Sequence, residues 1–332
     1  MIHEWENKIF DTAFFNFEKT ALEIFQYQYA NNEVYKEFVE NLQVDPGQVK
    51  DIQKIPFLPI SFFKSHMVTT HSFEPEAIFE SSGTSGSINS KHYVRSIPLY
   101  KDIFHAIFQM FYGDVEKWCI LALLPSYLER KNSSLVLMAD ELIKRTGNPL
   151  SGFYLDDHEK LYHTLLHNEI AGQKTLLLGV TFGLLDFAEK YKMQLHHTTV
   201  METGGMKGRR KEMIRTEVQE LLKKSLGMKN IHSEYGMTEL LSQAYAKHEG
   251  FFETPSWMRV LIREEDDPKN VRGISKNEKA ITGLLNIIDL GNIHSCCFIA
   301  TDDVGRLHPD ETFEVLGRSD ISDMRGCSLM VI

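Results

Sequence analysis

Short apolar runs alternate with helical periods through the middle of the chain, and this alternation limits the fold more than any other feature. A continuous apolar run at residues 118–124 ends at Pro125, and a second run occupies residues 175–180. Apolar residues at spacings of three and four predict helices over residues 133–145 and 184–192. Continuous apolar strands separated by helices are typical of parallel sheets buried on both faces. The sequence therefore predicts an α/β fold with a largely parallel sheet.

Both ends of the chain differ from this central pattern. Residues 3–42 carry apolar positions at helical spacing, which predicts helices there. Towards the other end the helical periods become rare, and residues 284–290 and 296–300 resemble strands. We expect turns at residues 303–305 and 319–320 to separate the later strands. The C-terminal part is therefore predicted to be rich in β structure.

Composition and charge exclude several classes of function. The 332 residues include 46 acidic and 36 basic side chains, giving a net charge of −10, with no long basic run, which argues against nucleic-acid binding. No apolar run approaches the ~18 residues of a membrane-spanning helix, and the N-terminus does not resemble a signal peptide. The four cysteines fit neither a disulfide framework nor paired zinc ligands, and we interpret Cys119, Cys296 and Cys297 as packing residues. We therefore expect a cytoplasmic protein without an integral membrane segment.

A small and polar stretch follows a strand-like segment at residues 78–79. Seven of the eight residues from Glu80 to Ser87 are Ser, Thr or Gly. Small side chains let backbone N–H groups approach an anion, and hydroxyls add donors, so this composition suits a phosphate-binding loop. A flexible polar loop is the alternative. The Walker pattern is absent, so any phosphate binding would occur in another fold.

Four further groups of residues could carry chemistry. Gly204 and Gly205 follow a strand-like run and could let a flat ligand lie against the backbone, or merely connect a strand to a helix. Residues 234–239 combine an aromatic ring, a glycine bend, a hydroxyl and a carboxylate, which suits a base, a phosphate and Mg²⁺, although a strand-to-helix turn is equally compatible. Acidic residues 302–303 just after an apolar strand could accept hydrogen bonds from ribose hydroxyls or fix a turn. Residues 317–320 add a cation at a second turn.

In this order and at these distances, the five motifs resemble those of the adenylate-forming superfamily, which includes acyl-CoA synthetases, peptide-synthetase adenylation domains and luciferases. The resemblance covers roughly residues 75–326 and implies their large N-terminal-type domain, with parallel sheets flanked by helices and a smaller β-rich part. It also implies ATP and Mg²⁺ as cofactors. The implied site residues are a phosphate loop at Ser81, Ser82, Gly83, Thr84, Ser85 and Gly86; adenine contacts at Gly204, Gly205, Tyr235 and Gly236; an α-phosphate contact at Thr238; a Mg²⁺ ligand at Glu239; and a ribose contact at Asp303, assisted by Arg318.

Two departures from the superfamily pattern concern lysines. Members usually continue into a small C-terminal domain that carries a lysine used in adenylation, whereas this sequence stops at Ile332, so we expect that domain to be lacking. The phosphate loop of the superfamily also has a nearby lysine, for which Lys91 is an approximate match. Adenylation is therefore expected to be slow unless Lys91, Lys207 or a partner substitutes for the missing lysine.

One branch of the superfamily matches more of the chain. Residues 124–130, 204–207 and 324–329 resemble the acyl-protein synthetases, the fatty-acid-activating component of the bacterial luminescence reductase complex. Members accept the acyl group on a cysteine close to the C-terminus, and Cys327 is the matching position. The resemblance implies a fatty acid as substrate and an acyl-thioester that is delivered to an acceptor protein such as a reductase or carrier protein.

The residues around Cys327 favour a reactive thiol independently of this resemblance. Cys327 lies five residues from the last residue given, where mobility is expected. An extended segment from Arg318 to Cys327 would span as much as ~30 Å. The adjacent cation of Arg325 would favour the thiolate, which is the reactive form. An idle cytosolic cysteine is the alternative.

We therefore predict an enzyme that activates a carboxylic acid with ATP and transfers the acyl group to a protein thiol, with Cys327, Thr238 and Glu239 as catalytic residues. The alternatives are a ligase similar to phenylacetate-CoA ligases, with coenzyme A as acceptor, and a catalytically silent nucleotide-binding subunit. The predicted divisions are an N-terminal helical segment of the main domain (1–70), an α/β adenylate-binding core (71–250), a β-rich subdomain (251–317), and a hinge with a mobile tail (318–332).

Overall fold

The computed structural model describes residues 5–6, 9–10, 15–81, 88–124, 132–204, 213, 215–265, 267 and 269–319. Its helices are α1 (Phe17–Asn31), α2 (Glu33–Asn41), α3 (Phe62–Ser65), α4 (Ile97–Tyr112), α5 (Ser134–Thr146), α6 (His158–Ala171), α7 (Thr181–Lys190) and α8 (Arg215–Leu226). Its strands are β1 (Leu58–Pro59), β2 (Ala77–Glu80), β3 (Lys91–Val94), β4 (Cys119–Leu123), β5 (Gly152–Phe153), β6 (Thr175–Val180), β7 (Thr198–Thr203), β8 (His232–Tyr235), β9 (Ala244–Ala246), β10 (Phe252–Glu253), β11 (Met258–Arg263), β12 (Val271–Arg272), β13 (Ile281–Asp289), β14 (Phe298–Leu307) and β15 (Phe313–Arg318).

The chain divides into two compact units. Unit 1 comprises residues 1–72 and 256–332, and unit 2 comprises residues 73–255. The N-terminal helices and the later β strands therefore belong to the same unit, although most of the chain separates them in sequence.

Unit 2 contains the parallel sheet that the apolar runs predict. Strands β5, β4, β6, β7 and β8 lie side by side and are parallel, and β9 and β10 extend the sheet in the antiparallel sense. Every residue of β4 and β6 is buried, as expected for strands with helices on both faces. The predicted α/β fold with a largely parallel sheet is therefore confirmed.

The core of unit 2 explains why β4 and β6 are almost wholly apolar. Cys119, Leu121 and Leu123 on one face of β4 pack into a single apolar cluster with residues of α6, α7 and α8, including Leu161 and Leu184. The two remaining β4 residues are also fully buried, so the strand is covered on its opposite face as well. Continuous burial is the reason that β4 and β6 read as uninterrupted apolar runs.

Unit 1 is organised around an antiparallel sheet with strand order β12, β11, β13, β14, β15, and with β1 parallel to β14. Phe298 on β14 packs against the rings of Phe25, Tyr35 and Phe57, with ring centroids 6.1 to 6.3 Å apart. The buried Gln28 of α1 accepts a hydrogen bond from the Cys297 backbone N–H (2.9 Å). Helices α1 and α2 are thus tied to the β structure by aromatic packing and buried hydrogen bonds.

Two expectations for the C-terminal part are wrong. No turn occurs at residues 303–305, because β14 continues without a break from Phe298 to Leu307. Pairing of β14 with β15 supplies the backbone partners for these residues, and this long-range pairing outweighs the local turn preference of Asp and Gly. Cys296 and Cys297 precede β14 instead of beginning it. The sequence analysis also did not find β11.

Within the described ranges, no helix is both long enough and apolar enough to cross a bilayer.

Candidate active site

The polar stretch at residues 80–87 connects the two strands of a hairpin. Strands β2 and β3 are antiparallel, with Glu80 opposite Lys91. At the base of the connection the Ser81 N–H donates to the Ser90 carbonyl (3.1 Å), and the Ser90 N–H donates to Ser81 Oγ (2.9 Å). Ser82, Gly83, Thr84, Ser85 and Gly86 lie outside the described residues.

Lys91, the approximate match to the superfamily lysine, is the first residue of β3. Its ammonium lies 4.0 Å from the Glu80 carboxylate, and both side chains are substantially exposed. Such an exposed ion pair contributes little to stability, so Lys91 can change partners at small cost. Lys207 lies outside the described residues.

His92 connects this hairpin to the predicted Thr238 motif. Its side chain is 1% exposed, and its Nδ1 lies 2.9 Å from the Thr238 backbone carbonyl. The Nδ1 atom must therefore carry the proton that is donated to this carbonyl. Sequence analysis did not find this role, because the partner lies 146 residues away. His92 positions the base of the polar loop beside residue 238.

The motif at residues 234–239 begins within the parallel strand β8 and continues past its end, and the strand-to-helix interpretation is wrong. After Tyr235 the chain turns and returns as β9, which pairs antiparallel to β8, with Tyr235 opposite Ala244. Thr238 is half-buried, Gly236 is exposed and the Glu239 side chain is buried. A Cβ atom added to Gly236 would lie 2.3 Å from Glu234 Oε1, so a larger residue here would require the Glu234 side chain to shift.

Tyr235, the predicted adenine-stacking residue, is packed within unit 2. Its ring lies 5.8 Å from that of Phe252, and its hydroxyl donates to the Met237 sulfur (3.4 Å). The side chain is 8% exposed. These contacts fix the orientation of the ring at the end of β8. The stacking role remains a prediction.

Gly204 lies directly after β7 with a φ of +72°, a left-handed conformation that glycine adopts without strain. The Thr181 hydroxyl, at the start of α7, lies 2.7 Å from Glu202 Oε1. It also lies within hydrogen-bond distance of the Gly204 carbonyl. Gly205 lies outside the described residues. The predicted glycine turn at the end of this strand is thus present at Gly204.

Three of these features meet at one edge of the sheet because of the strand register. Val180 pairs with Thr203, and Thr203 pairs with Glu234, so β6, β7 and β8 end side by side. The Glu80 N–H also donates to the carbonyl of Asn132, which lies in the segment that follows β4 (2.9 Å). Ligands of open α/β sheets bind beyond the carboxyl ends of the strands. Gly204, Tyr235 and the base of the polar loop are therefore placed where such a ligand binds.

Two carboxylates beneath this edge were not anticipated from the sequence. Glu202 is buried and accepts a hydrogen bond from the Ser233 hydroxyl (3.2 Å) in addition to its contact with Thr181. Glu234 accepts a hydrogen bond from the Thr203 hydroxyl. The pKa of Glu234 is raised to about 7, mainly by burial and also by the nearby charge of Glu202, while the hydrogen bond from Thr203 opposes the rise. Their positions on neighbouring strands bring these groups together.

We expect the stability of the protein to fall as the pH rises towards 7. The folded pKa of Glu234, about 7, lies above the ordinary value of 4.5, so between these pH values the folded state holds a proton that the unfolded state has lost. Deprotonation then costs the folded state on the order of 1–3 kcal/mol. The free energy of unfolding, measured with urea at pH 5 and at pH 7.5, should differ less between the two pH values for Glu234→Gln than for wild type. The exposed control Glu220→Gln should match wild type, and equal pH dependence in all three would contradict the assignment.

Asp303 and Arg318, the predicted ribose contacts, form a pair within unit 1. They are opposite each other on β14 and β15, and Arg318 Nε donates to Asp303 Oδ1 (3.0 Å). Asp303 lies inside β14 instead of after it, is 7% exposed, and its backbone N–H donates to Thr301 Oγ1 (3.1 Å). Arg318 thus orients this carboxylate as the prediction requires. The contact with ribose itself remains a prediction.

The interpretation of Cys119, Cys296 and Cys297 as packing residues is confirmed. All three are fully buried, and burial raises the pKa of Cys296 to about 12, which keeps its thiol protonated. Cys327 lies outside the described residues. Its predicted role as acyl acceptor therefore remains a prediction.

Comparison with known proteins gives two matches by sequence. Residues 10–103 match the family model described as acyl-protein synthetase, LuxE. A long-chain-fatty-acid–luciferin-component ligase of Vibrio harveyi is 26% identical over 336 residues, which cover 92% of this chain and 84% of that protein. The resemblance to acyl-protein synthetases that the sequence motifs indicate is thereby confirmed.

Solved structures support the fold. ATP-bound MatB from Rhodopseudomonas palustris has a TM-score of 0.53 at 12% identity, covering 75% of this chain and 49% of its own. The o-succinylbenzoate CoA synthetase MenE from Bacillus subtilis, in complex with the acyl-adenylate intermediate, has a TM-score of 0.52 at 17% identity, covering 73% and 49%. This chain spans about half the length of these structures. At these identities the likeness establishes the fold, which is that of the N-terminal part of adenylate-forming enzymes.

Proposed function

We propose that this chain, which resembles acyl-protein synthetases of the LuxE type, uses ATP to activate a carboxylic acid as an acyl-adenylate. The observation that carries the proposal is the meeting of Gly204, the Tyr235 motif and the Ser81–Ser90 base of the polar loop at one edge of the parallel sheet. A long-chain fatty acid is the first candidate substrate, because the Vibrio harveyi relative is named for that substrate.

In this reaction an oxygen of the carboxylate attacks the α-phosphorus of ATP, and pyrophosphate leaves. Charge on the phosphate oxygens must be neutralised while the two reactants are held in line, and this is the main contribution of a protein to such a transfer. Backbone N–H groups and hydroxyls of the polar loop would supply donors, and Thr238 would add a hydroxyl near the α-phosphate. His92 fixes the position of Thr238 relative to the loop.

The residues present fit a Mg²⁺ ion that arrives with ATP. Mg²⁺ is commonly held by one or two carboxylates together with substrate phosphates. Glu239 supplies one carboxylate, and its burial means that water competes weakly for it. Within the described part of the chain, no group of three or more His, Cys, Asp or Glu side chains could hold a metal ion by itself. Bound Mg²⁺ would withdraw charge from the phosphate oxygens.

The second half of the proposed reaction transfers the acyl group to Cys327. The thiolate sulfur attacks the acyl carbon of the mixed anhydride, a thioester bond forms, and AMP leaves with the bonding electrons. The acyl-thioester would then be delivered to an acceptor protein such as a reductase or carrier protein. Asp303, oriented by Arg318, would hold the ribose hydroxyls during both steps.

The test is pyrophosphate exchange into ATP, measured with acids of increasing chain length in the presence of Mg²⁺. We expect exchange that depends on the acid and is fastest with a long-chain fatty acid. Exchange with short or aromatic acids alone would reject the fatty-acid assignment. Absence of exchange with every acid would support a catalytically silent nucleotide-binding subunit. Addition of coenzyme A, followed by detection of acyl-CoA, would identify a CoA ligase instead.

A further inference from the structure

Unit 1 contains a cavity of about 530 Å³ that the proposed reaction does not use. Its volume is within the range of pockets that hold small molecules. Most of its wall is apolar and comes from the segments after α2, around β1 and on β12, including Val49, Ile55, Phe57 and Val271. These four side chains are buried, so the cavity is already formed in the folded chain.

One part of the cavity wall is polar and lies between strands of the sheet. Arg263 at the end of β11 donates from Nη1 to Asn286 Oδ1 (2.8 Å) and from Nη2 to the Thr301 carbonyl (2.8 Å). Asn286 lines the cavity and is 0% exposed, and among the described residues its amide nitrogen has no hydrogen-bond partner. A fully buried donor without an acceptor is unusual in a native protein, so this amide nitrogen is available to a ligand in the cavity.

Charge at the cavity favours an anion. Its lining includes three cationic side chains, Lys54, Arg263 and Lys269, against two carboxylates, Asp45 and Asp302. Arg263 stays charged when it is partly buried, and its planar fork suits a carboxylate group. Burial lowers the pKa of Arg263, and the nearby charge of Asp302 counters part of this decrease. The cation excess therefore remains after the internal carboxylates are counted.

The cavity and the predicted ribose contact use different residues of β14. Ala300 and Asp302 line it, whereas Asp303 pairs with Arg318. Asp303 is not among the residues that line the cavity. A ligand in the cavity would not occupy the place that the proposed function gives to ribose.

We propose that this cavity binds an aliphatic monocarboxylate, with its chain against Ile55, Phe57 and Val271 and its carboxylate at Arg263 and Asn286. The carboxylate accepts hydrogen bonds from the guanidinium and from the amide nitrogen of Asn286, and the apolar wall removes the chain from water. Binding needs neither ATP nor Cys327, so it is independent of the proposed function.

The probe is a ten-carbon fatty acid that carries a diazirine at its far end, crosslinked by light to the whole protein without ATP. Peptide mapping should place the label on cavity residues between 42 and 59 or near Val271. The corresponding ten-carbon alcohol should label these peptides about tenfold more weakly at equal concentration, because it lacks the charge that Arg263 binds. Label confined to unit 2, or equal labelling by acid and alcohol, would overturn the proposal.

Two variants, each with a matched control, separate the cavity from general effects on folding. Val44 lines the cavity and is half-buried, so the larger side chain in Val44→Trp should fill part of the cavity and abolish the label. Leu316 is exposed and lies outside the lining, so Leu316→Trp should keep the label. Arg263→Met should raise the apparent Kd for the acid about tenfold, whereas Arg259→Met on the same strand should leave it unchanged. Equal Kd values for the two arginine variants would overturn the polar half of the proposal. Because pyrophosphate exchange is measured separately, failure of either proposal leaves the other testable.

Discussion

Replacing Cys327 with serine is expected to abolish protein-bound acyl label while acid activation continues. Wild type incubated with radioactive long-chain fatty acid, ATP and Mg²⁺ should carry label that neutral hydroxylamine releases after denaturation, since hydroxylamine cleaves a thioester. A serine hydroxyl is a far weaker nucleophile at neutral pH than a thiolate, so Cys327→Ser should lose this label. Pyrophosphate exchange should remain close to that of wild type, because the first step does not involve the thiol.

Cys119→Ala is the matched control for this experiment. Cys119 is fully buried in β4, and burial raises the pKa of its thiol, so it is not available as an acceptor. Label should therefore persist in Cys119→Ala. Hydroxylamine-labile label in Cys327→Ser would contradict the acceptor role. Loss of both label and pyrophosphate exchange in the two variants would point to a general loss of structure, which a comparison of their thermal unfolding would detect.

Glu239→Gln is expected to slow acid-dependent pyrophosphate exchange by about a hundredfold. The substitution keeps the size of the side chain and removes the negative charge that would hold Mg²⁺ against the ATP phosphates. Loss of a single group that stabilises charge in a transition state costs about 10²–10³-fold in rate. Exchange should be measured over a range of Mg²⁺ concentrations, and a higher concentration should restore part of the rate if Glu239 contributes to metal affinity.

The control for this measurement is Glu253→Gln. Glu253 is an exposed carboxylate on β10 of the same unit, so its loss changes the net charge equally without touching the predicted site. Its exchange rate should equal that of wild type. If Glu239→Gln keeps more than about a third of the wild-type rate at every Mg²⁺ concentration, Glu239 has a packing role and the Mg²⁺ assignment fails.

The sequence by itself determined the elements that local patterns encode. The strand at Thr175–Val180 was predicted with its observed bounds, and the helix at Ser134–Thr146 differs by one residue at each end. A continuous apolar run reports burial on both faces, and spacing of three and four reports a helix, without knowledge of any distant partner. For the same reason the glycine turn after β7 could be located at Gly204.

Tertiary structure decided the features that depend on partners far away in the chain. The hydrogen bond of His92 to Thr238, the proximity of Glu202 to Glu234 and the Arg263–Asn286 wall of the cavity each join residues that lie far apart in the sequence. Residues 303–305 have the composition of a turn, yet pairing with β15 holds them in an extended strand. Backbone partners and the burial of a charge follow from the register of the sheet, and no local pattern of residue types specifies that register.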